Sequence, residues 1–226
     1  MEEDLILDDF TEDGDINIPG ISEKDALLTI WTRPRDTFRF LFAVNPTKYV
    51  MVLMAIGGIL GFAQSYDRFN NFIELNLFYT LAIVIVGGAI YGIAVTYLYT
   101  WLMSIVGKWM NGTGDPLKFR MVSAWASVPS IGNLILLIPS LYIFRQEANL
   151  AISNFSDSYF DSGNIYLIAI GLFSFILKTW SAVIAIGGIA ELQGFGYGKA
   201  ILNAILPVLI IIIPFALLFV INISHL

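Results

Sequence analysis

Long apolar segments separated by short polar turns set the plan of this chain. From Leu77 to Val106, and again from Met121 to Phe144, the sequence stays apolar beyond the roughly 20 residues a helix needs to cross a ~30 Å hydrocarbon layer. Between them, Gly107–Arg120 holds Asn111, Gly112, Thr113, Gly114, Asp115 and Pro116, a set of turn formers, followed by Leu117-Lys118-Phe119-Arg120. This pattern predicts a helical hairpin in a membrane, and the same rule adds spans at about 47–65, 165–190 and 200–223. The predicted fold class is therefore all-α: a polytopic membrane helical bundle with five transmembrane helices. A β-barrel is disfavoured, because its strands would alternate apolar and polar with period two and these runs are continuous.

The residues before the first span read differently. Ser22 with Asp25 three positions on resembles a capping box and predicts a helix to about Thr32, and Pro34 suits the first turn of a second short helix over Arg35–Ala43. That second helix sets Phe38, Phe40, Leu41 and Phe42 beside Arg33, Arg35 and Arg39, as expected of a short amphipathic helix lying at a membrane interface. Three parts follow: an acidic disordered head at 1–21, cytoplasmic or interfacial helices at 22–45, and a five-span membrane domain at 46–226.

Within the spans, small residues mark expected sites of close helix packing: Gly57 and Gly61, then Gly87, Gly88 and Gly92, then Gly187 and Gly188. Pro129 with Ser127, Ser130 and Asn133 forms a candidate polar break, since proline frees a backbone carbonyl that must be re-satisfied. Lys178 is the one full charge deep in an apolar run, so Lys178, Asn133 and Pro129 make a candidate intramembrane polar site. The bland reading of Lys178 is that this long segment shifts or tilts so that the side chain snorkels to the outer surface.

Composition narrows the chemistry. The chain has no cysteine and one histidine, His225, which removes thiolate catalysis and any histidine cluster within one chain. The spans offer no paired carboxylates and no nucleophile with a base, so no enzymatic activity and no cofactor are expected. The net charge of −6 is concentrated in the first 25 residues, where ten acids face one base; the rest carries eight acids and eleven bases. No basic stripe with interleaved aromatics lies outside the membrane, and nucleic acid is not an expected partner. With the N-terminus inside, cytoplasmic parts hold nine bases against two, Arg68 and Arg145, in outer loops. The acidic start lacks the pattern of a cleavable signal peptide, so the first span is expected to direct insertion.

Two motifs in Gly194–Ala200 fail on inspection. Gly196-Tyr197-Gly198 matches part of a potassium filter but joins two spans directly on the cytoplasmic side, without a preceding pore helix. As a phosphate-binding loop the stretch has Gln193 where the first glycine belongs and Ala200 in place of the hydroxyl. The glycines read better as the reversal between spans four and five.

The order of features resembles a known family. Trp31-Thr32-Arg33-Pro34 with Phe38, then Gly107–Gly114 leading into Lys118-Phe119-Arg120, Trp125 and Pro129, then Trp180 with Gly187-Gly188-Ile189-Ala190-Glu191, and Gly198-Lys199-Ala200, look like the Yip domain family. These are five-span, Ypt/Rab-interacting membrane proteins with a cytoplasmic N-terminus, and the resemblance covers about residues 28–222. It implies association with itself or with other membrane proteins and, in the eukaryotic branch, residence in ER or Golgi membranes and binding to small GTPases. The Asp-Leu-aromatic-Gly-Pro element of that branch is absent, and the compact form is more similar to the bacterial branch, which would place the chain in the bacterial cytoplasmic (inner) membrane. The function expected is a non-enzymatic adaptor or membrane organiser. Its partners would be the lipid bilayer and further membrane-protein chains, and its cytoplasmic surface would hold Trp31, Arg33, Arg35, Arg39, Lys118, Phe119 and Arg120. A small-solute or ion transporter using Lys178 and the Pro129/Asn133 break is the alternative.

Overall fold

The computed structural model describes residues 21, 25–44, 47, 49–70, 77–135 and 162–224. Most of the expected acidic head, residues 71–76 between the first two expected spans, residues 136–144 of the third expected span and nearly all of the expected Arg145–Asn164 loop lie outside these residues.

Every element among the described residues is helical. Helix α1 (Ala26–Thr32) stops before Pro34, whose ring disfavours a helical residue ahead of it; Arg33 accordingly leaves the helix at φ −132°, ψ 61°. Asp25 stands at the start of α1 without making a side-chain cap, and Ser22, its expected partner in a capping box, is outside the described residues. Helix α2 (Pro34–Val44) begins on the proline itself and is amphipathic, burying Thr37, Phe38, Phe40 and Leu41.

The long rods follow. Helix α3 (Val50–Asn70) is the first of them. Helix α4 (Leu77–Ala82) continues through one π-helical turn, Ile83–Gly87, into α5 (Gly88–Trp109). Helix α6 (Pro116–Ala126) returns beside α5, and the chain re-forms at once as the short α7 (Val128–Ile131), with Pro129 in its first turn. Helices α8 (Ser162–Gln193) and α9 (Tyr197–Ser224) complete the bundle. Three segments among the described residues are long and apolar enough to cross a membrane, Ile83–Trp109, Ile168–Gln193 and Tyr197–Pro214, and Val50–Ala63 is a shorter apolar helix. The expected third span is interrupted at Ser127, where the helical hydrogen-bond pattern is broken between α6 and α7.

The rods are longer than a bilayer is thick. At about 1.5 Å per residue the 32 residues of α8 extend for roughly 48 Å, against ~30 Å of hydrocarbon. Exposure shows where the excess lies. Large outward-facing apolar side chains follow α4–α5 from Phe78 to Trp101, α8 from Ile168 to Val183 and α9 from Ile201 to Ile213, with Trp109 and Tyr197 as outliers at helix ends. Past those positions the same rods turn buried: Met103 and Val106 on α5, Ile184, Ile189, Ala190 and Leu192 on α8, Ala200 on α9. Around this end wrap α1, α2 and α6, which supply Ile30, Phe38, Phe119, Met121 and Trp125, each essentially inaccessible. Ile21 packs into the same core.

Two regimes of stabilisation result. In the polar-end layer, burial from water operates, and Phe38 or Phe119 each contributes about 1.5–3 kcal/mol. In the apolar girdle lipid is as apolar as the side chains, and helices hold together by close packing. There α3 crosses α5 at glycine: a Cβ on Gly92 would collide with Gly58 Cα and stand 2.6 Å from the Met54 carbonyl oxygen, and one on Gly88 would stand 2.7 Å from Ile59 Cα. Gly57 and Gly61 lie beside this crossing, with only Ser127 Oγ 3.8 Å from a Cβ at the first and open space at the second. Gly87 and Gly187 have no tight neighbour, whereas Gly188 sits against Phe38 and Val122.

Candidate functional site

The polar-end layer is joined by contacts between residues far apart in sequence. Within it, Thr37 is fully buried, and its hydroxyl donates to the Arg33 carbonyl oxygen at 2.8 Å and lies 3.1 Å from Thr29 Oγ1, fixing the corner between α1 and α2. That corner aims two arginines of α2 at the end of α8. Arg39 Nε donates to Glu191 Oε1 at 2.6 Å and Nη2 to Oε2 at 3.4 Å, while Arg35 Nε lies 3.5 Å from Oε2. The carboxylate is mostly enclosed and both cations stay wet. The hydrogen bond and charge of Glu191 hold the Arg39 guanidinium above its ordinary range.

Both reversals that flank this junction close in the same way. After α5, Asn111 adopts φ 66°, the Gly112 amide donates to the Gly107 carbonyl at 2.8 Å and the Asn111 amide to the Lys108 carbonyl at 3.1 Å. After α8, Gly194 adopts φ 65° and the Phe195 amide donates to the Ala190 carbonyl at 3.0 Å. These are Schellman closures, which satisfy carbonyls otherwise left open at a helix end. Asp115 then caps α6, its Oδ1 accepting from the Leu117 and Lys118 amides at 2.9 and 3.4 Å.

Gln193 locks the two reversals together. Its Oε1 accepts from Thr113 Oγ1 and from the Gly114 amide, both at 3.2 Å, and its side chain lies in a slot floored by Gly107 and Gly112, where any Cβ would strike it. Nearby, Asn203 Nδ2 donates to the Met103 carbonyl at 2.9 Å, Ser104 Oγ to the Gly114 carbonyl at 2.6 Å and Tyr99 Oη to the Ala204 carbonyl at 2.8 Å. The pattern of the sequence does not single out Gln193 or Asn203. The available signal was an amide at the end of one apolar helix and another nearly two turns into the next.

Around the rim, cations lie on aromatic rings: Arg35 on Tyr197 at 5.1 Å, Lys118 on Phe42 at 5.7 Å, Arg120 on Tyr97 at 4.5 Å and Lys199 on Phe195 at 5.6 Å from the ring centres. Of the residues expected on this surface, Arg33, Arg35 and Arg39 are exposed, Lys118, Arg120 and Trp31 are half-buried, and Phe119 is wholly inside the core. Phe119 departs from the expectation because it sits on the face of α6 turned toward the bundle, between the outward Lys118 and Arg120.

The expected intramembrane polar site is not drawn into one environment. Pro129 and Asn133 are buried, while Lys178 is exposed on α8. Asn133 has no hydrogen-bond partner for either amide atom among the described residues. At the break, Ser181 on α8 accepts the Ser130 amide at 3.1 Å and pairs with Ser130 Oγ at 2.8 Å, so a hydroxyl satisfies the backbone there. Ser127 and Ser130, with Thr96 and Ser123, border two grooves of about 270 and 330 Å³ between the helices. The hydroxyls of Thr96 and Thr100 point back to their own helix, donating to the carbonyls of Gly92 and Thr96.

No curated protein and no solved structure matches this chain significantly. The Yip1 domain family model matches residues 28–218, which include the α1–α2 corner, the reversal after α5, the broken helix at Pro129 and the Glu191–Gln193 junction. The chain therefore belongs to the Yip1 domain family of membrane proteins.

Proposed function

We propose that this protein is a non-enzymatic membrane adaptor that presents its polar-end layer to other proteins and associates with further membrane chains. The observation that carries this reading is the Arg35/Arg39–Glu191 junction. It fastens a folded layer of short helices to the ends of the long rods, and leaves that layer with a rim of cations. A rigid, water-facing surface built on membrane helices suits recognition, whereas a chain that only needed to span the bilayer would have no use for it. By the nine-to-two distribution of bases this layer faces the cytoplasm, in bacteria from the inner membrane.

The test is cross-linking in cells, extraction in mild detergent and mass spectrometry of what is recovered. A specific partner that is captured by the wild type and lost in Arg33→Glu and Lys118→Glu supports the adaptor. Recovery of only this chain from cross-linked cells, with both variants unchanged, overturns it.

A further inference from the structure

The structure assigns a second binding feature, on the same rim but separate from the Arg33 and Lys118 positions that test the adaptor, and independent of the orientation of the chain: we propose that Arg120 and the groove beside it hold the headgroup of an anionic phospholipid. The groove lies between α5 and α6, has a volume of about 320 Å³, and is lined by Tyr97, Leu98, Thr100, Trp101, Pro116 and Arg120.

Its height in the bundle is what selects a lipid. Trp101 is the last large outward apolar residue of α5 before that helix turns buried, and Tyr97 is one turn below it. From Leu77 to Tyr97 is 20 steps of about 1.5 Å, close to the ~30 Å of hydrocarbon. The groove therefore opens where acyl chains end and headgroups begin, the level at which tryptophan and tyrosine rings collect.

Its chemistry selects an anion. Arg120 is half-buried, and no carboxylate pairs with it among the described residues; it stacks on the face of Tyr97. Stacking occupies only the flat side of a guanidinium. The N–H groups on its edge stay free to form a forked pair of bonds to a phosphate, an arrangement that a lysine ammonium cannot reproduce. The Asp115 carboxylate at the start of α6 is turned to the helix amides, where Leu117 and Lys118 donate to it, so it does not compete for Arg120. Below the cation, Leu98 and Ile90 are 52% and 64% exposed on α5 and offer an apolar track for an acyl chain. Arginine above, aromatic rim and apolar track below match a phospholipid from phosphate to tail.

The experiment is native mass spectrometry of the purified full chain, given equal amounts of phosphatidylglycerol and phosphatidylcholine. We expect phosphatidylglycerol to be retained preferentially, with Arg120→Gln lowering that retention by about tenfold or more, Arg120→Lys restoring part of it, and Lys199→Gln leaving it unchanged. Excess inorganic phosphate should displace little lipid, because it lacks the tail that the track would hold. Equal retention of the two lipids by the wild type overturns the proposal without recourse to any variant. So does equal loss in Lys199→Gln, which would indicate only bulk charge, or full displacement by inorganic phosphate, which would mark a site for the free anion. None of these outcomes bears on partner capture through Arg33 and Lys118.

Discussion

Arg39 on the amphipathic second helix and Glu191 at the end of α8 meet at 2.6 Å although 152 positions separate them. This pair, with Arg35 on the same carboxylate, ties the layer outside the girdle to the rods within it. Because Arg39 is more than half exposed, its energy is that of a wet bidentate pair, and removing the carboxylate by Glu191→Ala costs about 1 kcal/mol. The sign of its pH dependence follows from the guanidinium, which the hydrogen bond and charge of Glu191 hold above its ordinary range when folded. Such a group stabilises fully below its unfolded value and loses the effect only as pH rises through the folded one. No change from Arg39 is therefore expected in ordinary buffers. Salt is the effective probe: added sodium chloride should lower the thermal midpoint of the wild type more than that of Glu191→Ala, and parallel salt curves would show that the pair contributes nothing.

The α3–α5 crossing makes a sharper prediction. At Gly92 an added Cβ meets backbone atoms of Gly58 and Met54, which cannot rotate aside, so Gly92→Ala and Gly58→Ala force the helices apart. A loss of about 3 kcal/mol or more is expected, at the upper end for overpacking because the obstacle is main chain. Gly61→Ala has open space and should be neutral, or stabilising by up to about 1 kcal/mol through helix propensity. Thermal denaturation of the three variants in detergent decides it; equal midpoints for Gly92→Ala and Gly61→Ala would remove the crossing from any account of the fold.

That contrast also marks how far the sequence could be read. The long helices were legible because apolar runs of this length have one physical use, and the turn at Gly107–Arg120 because its residues suit little else. The corner at Pro34 and the reversal at Gly194 were legible for similar reasons. Which face of a rod meets its neighbour was not. A helix bathed in lipid is apolar all round, so spacing alone draws attention to Gly57 and Gly61, whereas the tightest approach uses Gly58, one position away. Likewise Lys118, Phe119 and Arg120 read as one exposed patch in sequence, and only the packing of α6 divides them into two surface cations and a core ring. The role of Gln193 depends on a slot formed by two glycines some 80 positions earlier, which no local pattern announces.

Lys178 separates the adaptor from a transporter. It lies five residues, or about 7.5 Å of helix, before Val183, where the outward apolar face of α8 ends, and it is exposed rather than turned into the bundle beside Asn133. A lysine stem can cover most of that distance and place its charge near the interface. Lys178→Leu is therefore expected to leave the fold and the set of cross-linked partners unchanged. Reconstituted vesicles provide the opposing arm: solute or ion flux in the wild type that vanishes in Lys178→Leu would reverse this assignment.

The Gln193 slot can be tested by a double-mutant cycle. Gly107→Ala alone drives a Cβ into the Gln193 amide, whose carbon would stand 3.2 Å away with its nitrogen nearer still; Gly112 blocks retreat on the other side. The single substitution should cost about 1–3 kcal/mol. Gln193→Ala alone leaves the buried Gly114 amide without its acceptor and should cost a similar amount, about 1–3 kcal/mol. In combination the collision disappears. Gly107→Ala, at a helical position, should then be neutral or gain up to about 1 kcal/mol over glycine. Thermal midpoints of the four proteins should thus reveal coupling of at least about 1 kcal/mol, within the range found for residues in direct contact. If the two substitutions simply add, Gln193 is not seated between Gly107 and Gly112, and the two reversals are joined by something other than its side chain.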